Sequence, residues 1–242
     1  MIELFEIIEQ KISCASLVSK PFSFFEINEL IPSGLYEELI SNLPDIGSYK
    51  PLSHRETLLN GVPTRFEMPL SFEDLHREVT QAFCNCPLAG DLLEVFCSDA
   101  FVEVLLKKFG LSADLIPYPH LYRDQAGFKL PPHTDIEEKA ITFGWYLPTD
   151  TSHVESGLKL YERVSEEFVS FKRIDYVPNK AFAFMRSENS WHGAEHAPKS
   201  QYDRNSLFVT CYNKKFYSDG HLSVRDPNVD RSEINILGSF SK

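Results

Sequence analysis

After Gly110 the sequence reads as short strands in succession with no helical stretch between them, and this limits the fold more than any other feature. Leu115 to Arg123, Ala140 to Leu147, Gly157 to Tyr161, Phe168 to Ile174, Ala181 to Phe184 and Ser206 to Tyr212 all carry β-type residues. Turn signals such as Pro148-Thr149-Asp150 and Pro178-Asn179-Lys180 separate them. Strands alternating with helices would build a parallel sheet. Strands following one another build a sandwich or jelly roll. The expected fold is therefore mainly β with α, a sandwich or jelly roll carrying a helix-rich N-terminal half on one sheet face.

The first 110 residues have a different texture. Phe22 to Ile27 reads as a short strand. Ser33 is expected to cap a helix through about Asn42, with Leu35, Leu39 and Ile40 as its apolar stripe and Pro44 as its stop. From Asp45 to about Leu70 the periodicity disappears, with Gly47, Pro51, Gly61 and Pro63 as breakers. A long unpatterned segment in a compact chain is either a lid or a surface loop. Helical spacing returns from Phe72 to about Phe83 and from Gly90 to Phe109, with an interruption expected at Ser98-Asp99 and a stop at Gly110. The expected organisation is one domain over 1–242: an N-terminal support at 1–110, a β core at 111–216 and an extension at 217–242.

Composition narrows the functional classes. With 43% hydrophobic residues and 19 Phe, 242 residues suffice for one domain with a sizeable core. The net charge of −11 and the lack of a basic run argue against nucleic acid as a partner, because phosphate contacts need a basic surface. Five Cys, with Cys84-Asn85-Cys86 the close pair, do not resemble a disulfide framework. The acidic start, Met1-Ile2-Glu3-Leu4-Phe5-Glu6, lacks the basic region of a secretory signal. No apolar run approaches the roughly 18 residues of a membrane span. A cytoplasmic location without membrane association is the expectation.

Chemistry concentrates at Pro132-His133-Thr134-Asp135. In an extended strand His133 and Asp135 share a face, with Thr134 turned away. One imidazole and one carboxylate make two-thirds of a 2-His-1-carboxylate site for non-heme Fe(II), and His192 in Ser190-Trp191-His192-Gly193 supplies a third ligand. Such a set leaves coordination positions open for a bidentate co-substrate and O2. His192 and His196 also stand four apart, as in a helical zinc site, but Gly193 and the strand-like run around them oppose a helix.

Arg204-Asn205-Ser206 puts a guanidinium and a hydroxyl on one face of an apolar strand. A half-buried Arg is costly when isolated, so it either binds a carboxylate ligand through its planar fork or pairs with an acidic residue. Thr142, Gly144 and Tyr146 share one strand face, where both hydroxyls would line the Arg204 pocket. Tyr122, ahead of the iron strand, is a further cavity candidate. Arg55 and Arg65, in the unpatterned segment, and Trp191, beside His192, are candidates for substrate contact.

Together, Leu121-Tyr122-Arg123, Pro132-His133-Thr134-Asp135, Ile141-Thr142, Tyr146-Leu147, Gly157-Leu158, Phe182-Ala183-Phe184, Asn189-Ser190-Trp191-His192-Gly193 and Arg204-Asn205-Ser206-Leu207 resemble the Fe(II)/2-oxoglutarate-dependent oxygenases, in particular their prolyl-hydroxylase-like branch. Pro21-Phe22-Ser23-Phe24 and the helix to Pro44 also look like that branch's opening. The resemblance is strong from about Tyr118 to Asn213. It implies a double-stranded β-helix, Fe(II) on His133, Asp135 and His192, and 2-oxoglutarate anchored by Arg204 with Ser206, Thr142 and Tyr146 assisting. It further implies hydroxylation of an unactivated C–H in a small molecule, amino acid or peptide, with O2 consumed and succinate and CO2 released. Desaturation or ring formation by the same cofactors, and a non-catalytic cupin-like binding protein, are the other readings. At Arg123-Asp124-Gln125 the chain departs from the tyrosine that many relatives carry just before the glycine.

Overall fold

The computed structural model describes residues 2–52, 57–70, 82–83, 86–196 and 202–218. The core is two facing antiparallel sheets. Strands β6 (Leu115–Asp124), β8 (Lys139–Tyr146), β11 (Ala181–Met185) and β13 (Arg204–Asn213) form the centre of a seven-stranded sheet. Strands β7 (Lys129–His133), β9 (Leu158–Val164), β10 (Glu167–Ile174) and β12 (Trp191–Glu195) form a four-stranded sheet ordered β10-β9-β12-β7. From β6 onward the chain crosses between the sheets repeatedly, pausing only for the β9–β10 hairpin. That alternation is a jelly roll, as the run of strands required.

Strand alternation builds two cores at once. Ile141, Phe143 and Trp145 of β8, with Ala181, Ala183, Leu207, Val209 and Cys211, point outward to the helices. Tyr146, Phe182 and Phe184 point inward, where they meet Leu158, Leu160 and Ala194 of the smaller sheet. A fully buried Phe or Leu contributes about 1.5–3 kcal/mol, so a register slip on β8 would cost many such contributions together.

The helices cover the outer face of the large sheet. They are α1 (Ile2–Cys14), α2 (Ser33–Ser41), α3 (Pro87–Phe96) and α4 (Asp99–Phe109), with α5 (Lys214–Ser218) following β13. Sequence reading missed α1, although Leu4, Ile8 and Ile12 recur every four residues and are all buried. The interruption between α3 and α4 falls where expected. Ser98 caps α4 by accepting a hydrogen bond from the Phe101 N–H at 3.1 Å, and Gly110 ends it in the left-handed region at φ 64°. Ser33, by contrast, is the first helical residue and not a cap. Pro32 takes the cap position and offers no side-chain acceptor.

The expectation of an unpatterned 45–70 segment needs correction. β2 (Lys50–Pro51) and β5 (Arg65–Pro69) extend the large sheet beyond β6, while β1 (Phe24–Ile27) closes its other edge, giving the order β1-β11-β8-β13-β6-β5-β2. The hairpin of β3 (Leu58–Leu59) and β4 (Val62–Pro63) stands apart as a two-stranded sheet. The first 110 residues thus contribute strands as well as helices. The helix expected over 72–83 lies almost wholly outside the described residues. Among the described residues Cys14, Cys86, Cys97 and Cys211 are free thiols, and no helix is long and apolar enough to cross a membrane.

Candidate active site

β7 and β12 are neighbours in the smaller sheet, and their register sets His133 directly opposite His192. The two rings lie 4.3 Å apart between centroids. Each ring is turned the same way: Nδ1 of His133 is 2.9 Å from the Pro131 carbonyl, and Nδ1 of His192 is 2.8 Å from the Ser190 carbonyl. A carbonyl only accepts, so both Nδ1 atoms carry the hydrogen and both Nε2 lone pairs are free to bind a metal. Asp135 completes the group, with one ligand atom from each residue lying within 4.8 Å of the others. β7 ends at His133, so Asp135 reaches the site from the following turn and not by strand alternation.

The Asp135 carboxylate is tied on both oxygens. Lys139 Nζ donates to Oδ1 at 2.7 Å and Thr142 Oγ1 donates to Oδ2 at 3.1 Å, while the Asp135 backbone oxygen accepts from Arg186 Nε at 3.2 Å. Oδ2 is the oxygen that faces His192, 4.0 Å from its Nε2. Burial alone would raise the Asp135 pKa, but Lys139, His192 and His133 together hold it well below the usual carboxylate range. Burial pushes His133 down to about 4, helped by His192, and lowers His192 as well. Two neutral imidazoles and one carboxylate are the deprotonated donors that a divalent metal requires. The donor set fits Fe(II).

Arg204 begins β13, in the large sheet that faces the two histidine strands. It is 1% exposed. Its Nε donates to the Ser156 carbonyl at 2.6 Å and its Nη1 to Asp124 Oδ2 at 2.7 Å. The rings of Tyr146 and Tyr176 each stand 5.3 Å from the guanidinium carbon. Burial opposes the charge on Arg204, but Asp124 and the two tyrosines more than offset it and its pKa is raised. Both readings of Arg204 from sequence thus meet in one side chain: it has an ionic partner, and it retains spare donor capacity. Among the described residues, Arg204 Nη2 and Ser206 Oγ are buried without a hydrogen-bond partner. Two unsatisfied donors beside a cation fit a carboxylate ligand such as the far end of 2-oxoglutarate.

The other expected residues divide. Thr142 sits at the metal end, on Asp135, and Tyr146 at the Arg204 end, where its hydroxyl accepts from the Leu158 N–H at 2.7 Å. Tyr122 is on the cavity face of β6, its ring stacked on His120 at 5.6 Å. Trp191 does not line the site. As the neighbour of His192 in an extended strand it points to the outer face, where its ring lies 4.7 Å from Phe168. Arg65 lies at Asp124, and Arg55 lies outside the described residues. His196 is no zinc ligand of a helix: it follows β12, and Nδ1 and Nε2 engage Ser156 Oγ and the Tyr202 carbonyl. Sequence reading missed Lys139, although it follows Asp135 at i+4, and Asp124, whose role depends on strand register.

Neither a protein-family model nor any curated protein matches this sequence. Solved structures do. A prolyl hydroxylase from Trichoplax adhaerens, in complex with a hypoxia-inducible-factor peptide, is 13% identical, with 90% of this chain and 93% of that one covered at a TM-score of 0.57. A prolyl-4-hydroxylase from Pseudomonas putida is 14% identical, with 87% and 98% covered at 0.52. The chain has the prolyl-hydroxylase fold. In that fold the His133-Asp135-His192 cluster and the Arg204 pocket sit inside the jelly roll, on facing sheets.

Proposed function

We propose that this chain is an Fe(II)- and 2-oxoglutarate-dependent dioxygenase that hydroxylates an unactivated C–H of a small molecule, amino acid or peptide. The convergence of His133, Asp135 and His192, with both imidazole Nε2 atoms freed by Nδ1 contacts to backbone carbonyls, is the observation that carries this reading. Bound together, Fe(II), 2-oxoglutarate and O2 supply the oxidising chemistry, releasing succinate and CO2.

The protein's own contribution is placement. His133 and His192 would hold the metal from the smaller sheet, and Lys139 and Thr142 orient the Asp135 carboxylate that would complete its ligands. Thr142 and Tyr146 share a face of β8 four residues apart, which is roughly 13 Å of strand. Side chains at the two ends and an extended five-carbon dicarboxylate fit that span. Phe182 and Phe208, 5.9 Å apart, form an apolar wall along it, suited to the methylenes between the carboxylates. The peptide bound by the Trichoplax relative supports including peptides among the substrate classes.

For a lid role within the 45–70 segment we favour the β3–β4 hairpin, since β2 and β5 are paired in the large sheet. The hairpin leans on the turn after β6, where Leu59 packs against Gly127. Succinate formation measured across free amino acids, peptides and natural-product scaffolds tests the reading. Product mass separates hydroxylation from desaturation or ring formation. If no member of the panel stimulates 2-oxoglutarate turnover and the metal-loaded protein binds no 2-oxoglutarate, the chain is a binding protein on a jelly-roll scaffold.

A further inference from the structure

Asp124 is shared. β6 lies between β5 and β13, and the register makes both Arg65 and Arg204 direct partners of Asp124. Direct partners in adjacent strands present their side chains on one face, so the three form a row, Arg65-Asp124-Arg204, across the cavity side of the sheet. Arg204 Nη1 is 2.7 Å from one carboxylate oxygen, and Arg65 Nε is 3.3 Å from the other. The Arg65 contact is off-axis for a hydrogen bond: Arg65 Nε and Asp124 Oδ1 are both buried without one among the described residues. The Arg65 guanidinium carbon lies over the Tyr122 ring, 4.0 Å from its centre, and 4.8 Å from that of Phe128.

Two guanidiniums and one carboxylate leave the row with one positive charge too many. Their side chains are 12%, 0% and 1% exposed in strand order, so water screens that excess poorly. The groups that face Arg204 do not supply the missing charge. His196 is held below its usual pKa by burial and stays neutral, and the Tyr146 hydroxyl is pushed up to about 12. Glu67, the next residue on the same face of β5, stands opposite Tyr122 and is a further buried carboxylate beside the row. A carboxylate entering beside Arg204 Nη2 and Ser206 Oγ would meet both unsatisfied donors at the Arg204 end of the row.

We propose that Arg65 is a second guanidinium of the co-substrate site, held beside Arg204 by the carboxylate the two share, Asp124. This rests on the reading that the Arg204 pocket takes the distal carboxylate of 2-oxoglutarate. Arg65 is then a positioning residue for the co-substrate and not a contact for the oxidised substrate. Asp124 orients the Arg204 fork by a hydrogen bond and cancels one charge.

Calorimetric binding of N-oxalylglycine, an unreactive 2-oxoglutarate analogue, to the Mn(II)-loaded full chain tests this without turnover. Arg65→Met is expected to weaken binding at least tenfold while leaving Mn(II) affinity unchanged, and Arg65→Lys to recover part of the loss. Asp124→Asn keeps an acceptor for Arg204 but raises the pocket charge, so it is expected to bind the analogue more tightly than wild type. Arg204→Met is the control for the underlying reading. Binding within twofold of wild type in Arg65→Met, with binding lost in Arg204→Met, would overturn the role of Arg65 and leave the pocket assignment standing. Wild-type binding in both variants would overturn the assignment itself. If Arg65→Met does not fold, Arg65→Lys and Asp124→Asn still decide, because weaker binding in Asp124→Asn contradicts the charge argument.

Discussion

Replacing Lys139 with methionine separates two jobs that the Asp135 carboxylate performs. In the apo protein Lys139 Nζ is its only ammonium contact among the described residues, 2.7 Å from Oδ1, and Asp135 is itself 7% exposed. Removing one partner of a buried pair costs about 3–5 kcal/mol, because the other charge stays behind unpaired. The Lys139 side chain is 21% exposed, so water screens part of the interaction and about 2–3 kcal/mol is the expected loss. For a chain of this length that is roughly 5–10 °C in Tm. The metal then acts in the opposite direction. In the wild type two positive charges arrive at a carboxylate already neutralised by an ammonium, whereas in Lys139→Met they meet the full negative charge. Thermal unfolding of both proteins, apo and with saturating Co(II), is the assay. The metal should raise the Tm of the variant by more than that of the wild type. An apo loss below about 0.5 kcal/mol, or a larger metal shift in the wild type, would refute the reasoning.

Further outcomes follow from single side chains. Burial, then Lys139 and Arg65, hold the His120 imidazole down to about 3 from an ordinary 6.5, a shift worth on the order of 5 kcal/mol. A depressed folded pKa stabilises above the unfolded value and is lost as pH falls, so His120→Gln should flatten the acid limb of apo stability between about pH 6.5 and 3; an unchanged slope counts against it. Gly157→Ala would put its Cβ 1.9 Å from the Ile174 carbonyl, so β9 must shift, at a cost of at least about 2 kcal/mol by denaturant titration. Because the Ser156 carbonyl that receives Arg204 is next in the chain, 2-oxoglutarate binding should weaken too. Ser98→Ala should cost about 1 kcal/mol with no change in co-substrate binding. With Asp135 filling the carboxylate position, turnover in chloride buffer should give no chlorinated product by mass spectrometry.

Strand alternation made the β core legible because its signal is local. Ile141-Thr142-Phe143-Gly144-Trp145-Tyr146 announces one outward and one inward face, and the protein uses both. The same rule, applied to Trp191 beside a ligand His192, already points the indole away from the site. β5 was invisible for the opposite reason. Arg65-Phe66-Glu67-Met68-Pro69 has little strand character of its own and is extended because β6 offers it an edge. β7 carries Pro131 and Pro132, which read as breakers, yet it is the edge of its sheet, where missing N–H groups cost least. The His133-Asp135-His192 cluster was readable from residue type and order. The row Arg65-Asp124-Arg204 was not, since it exists only once three distant strands fall into register.

The central claim is that His133, Asp135 and His192 hold a catalytic metal, and an anaerobic Fe(II) titration of wild type and His192→Ala, each followed by 2-oxoglutarate, tests it most directly. The account predicts a single Fe(II) per wild-type chain, tight 2-oxoglutarate binding only when the metal is present, and loss of both in His192→Ala. Undiminished iron binding in His192→Ala would contradict it.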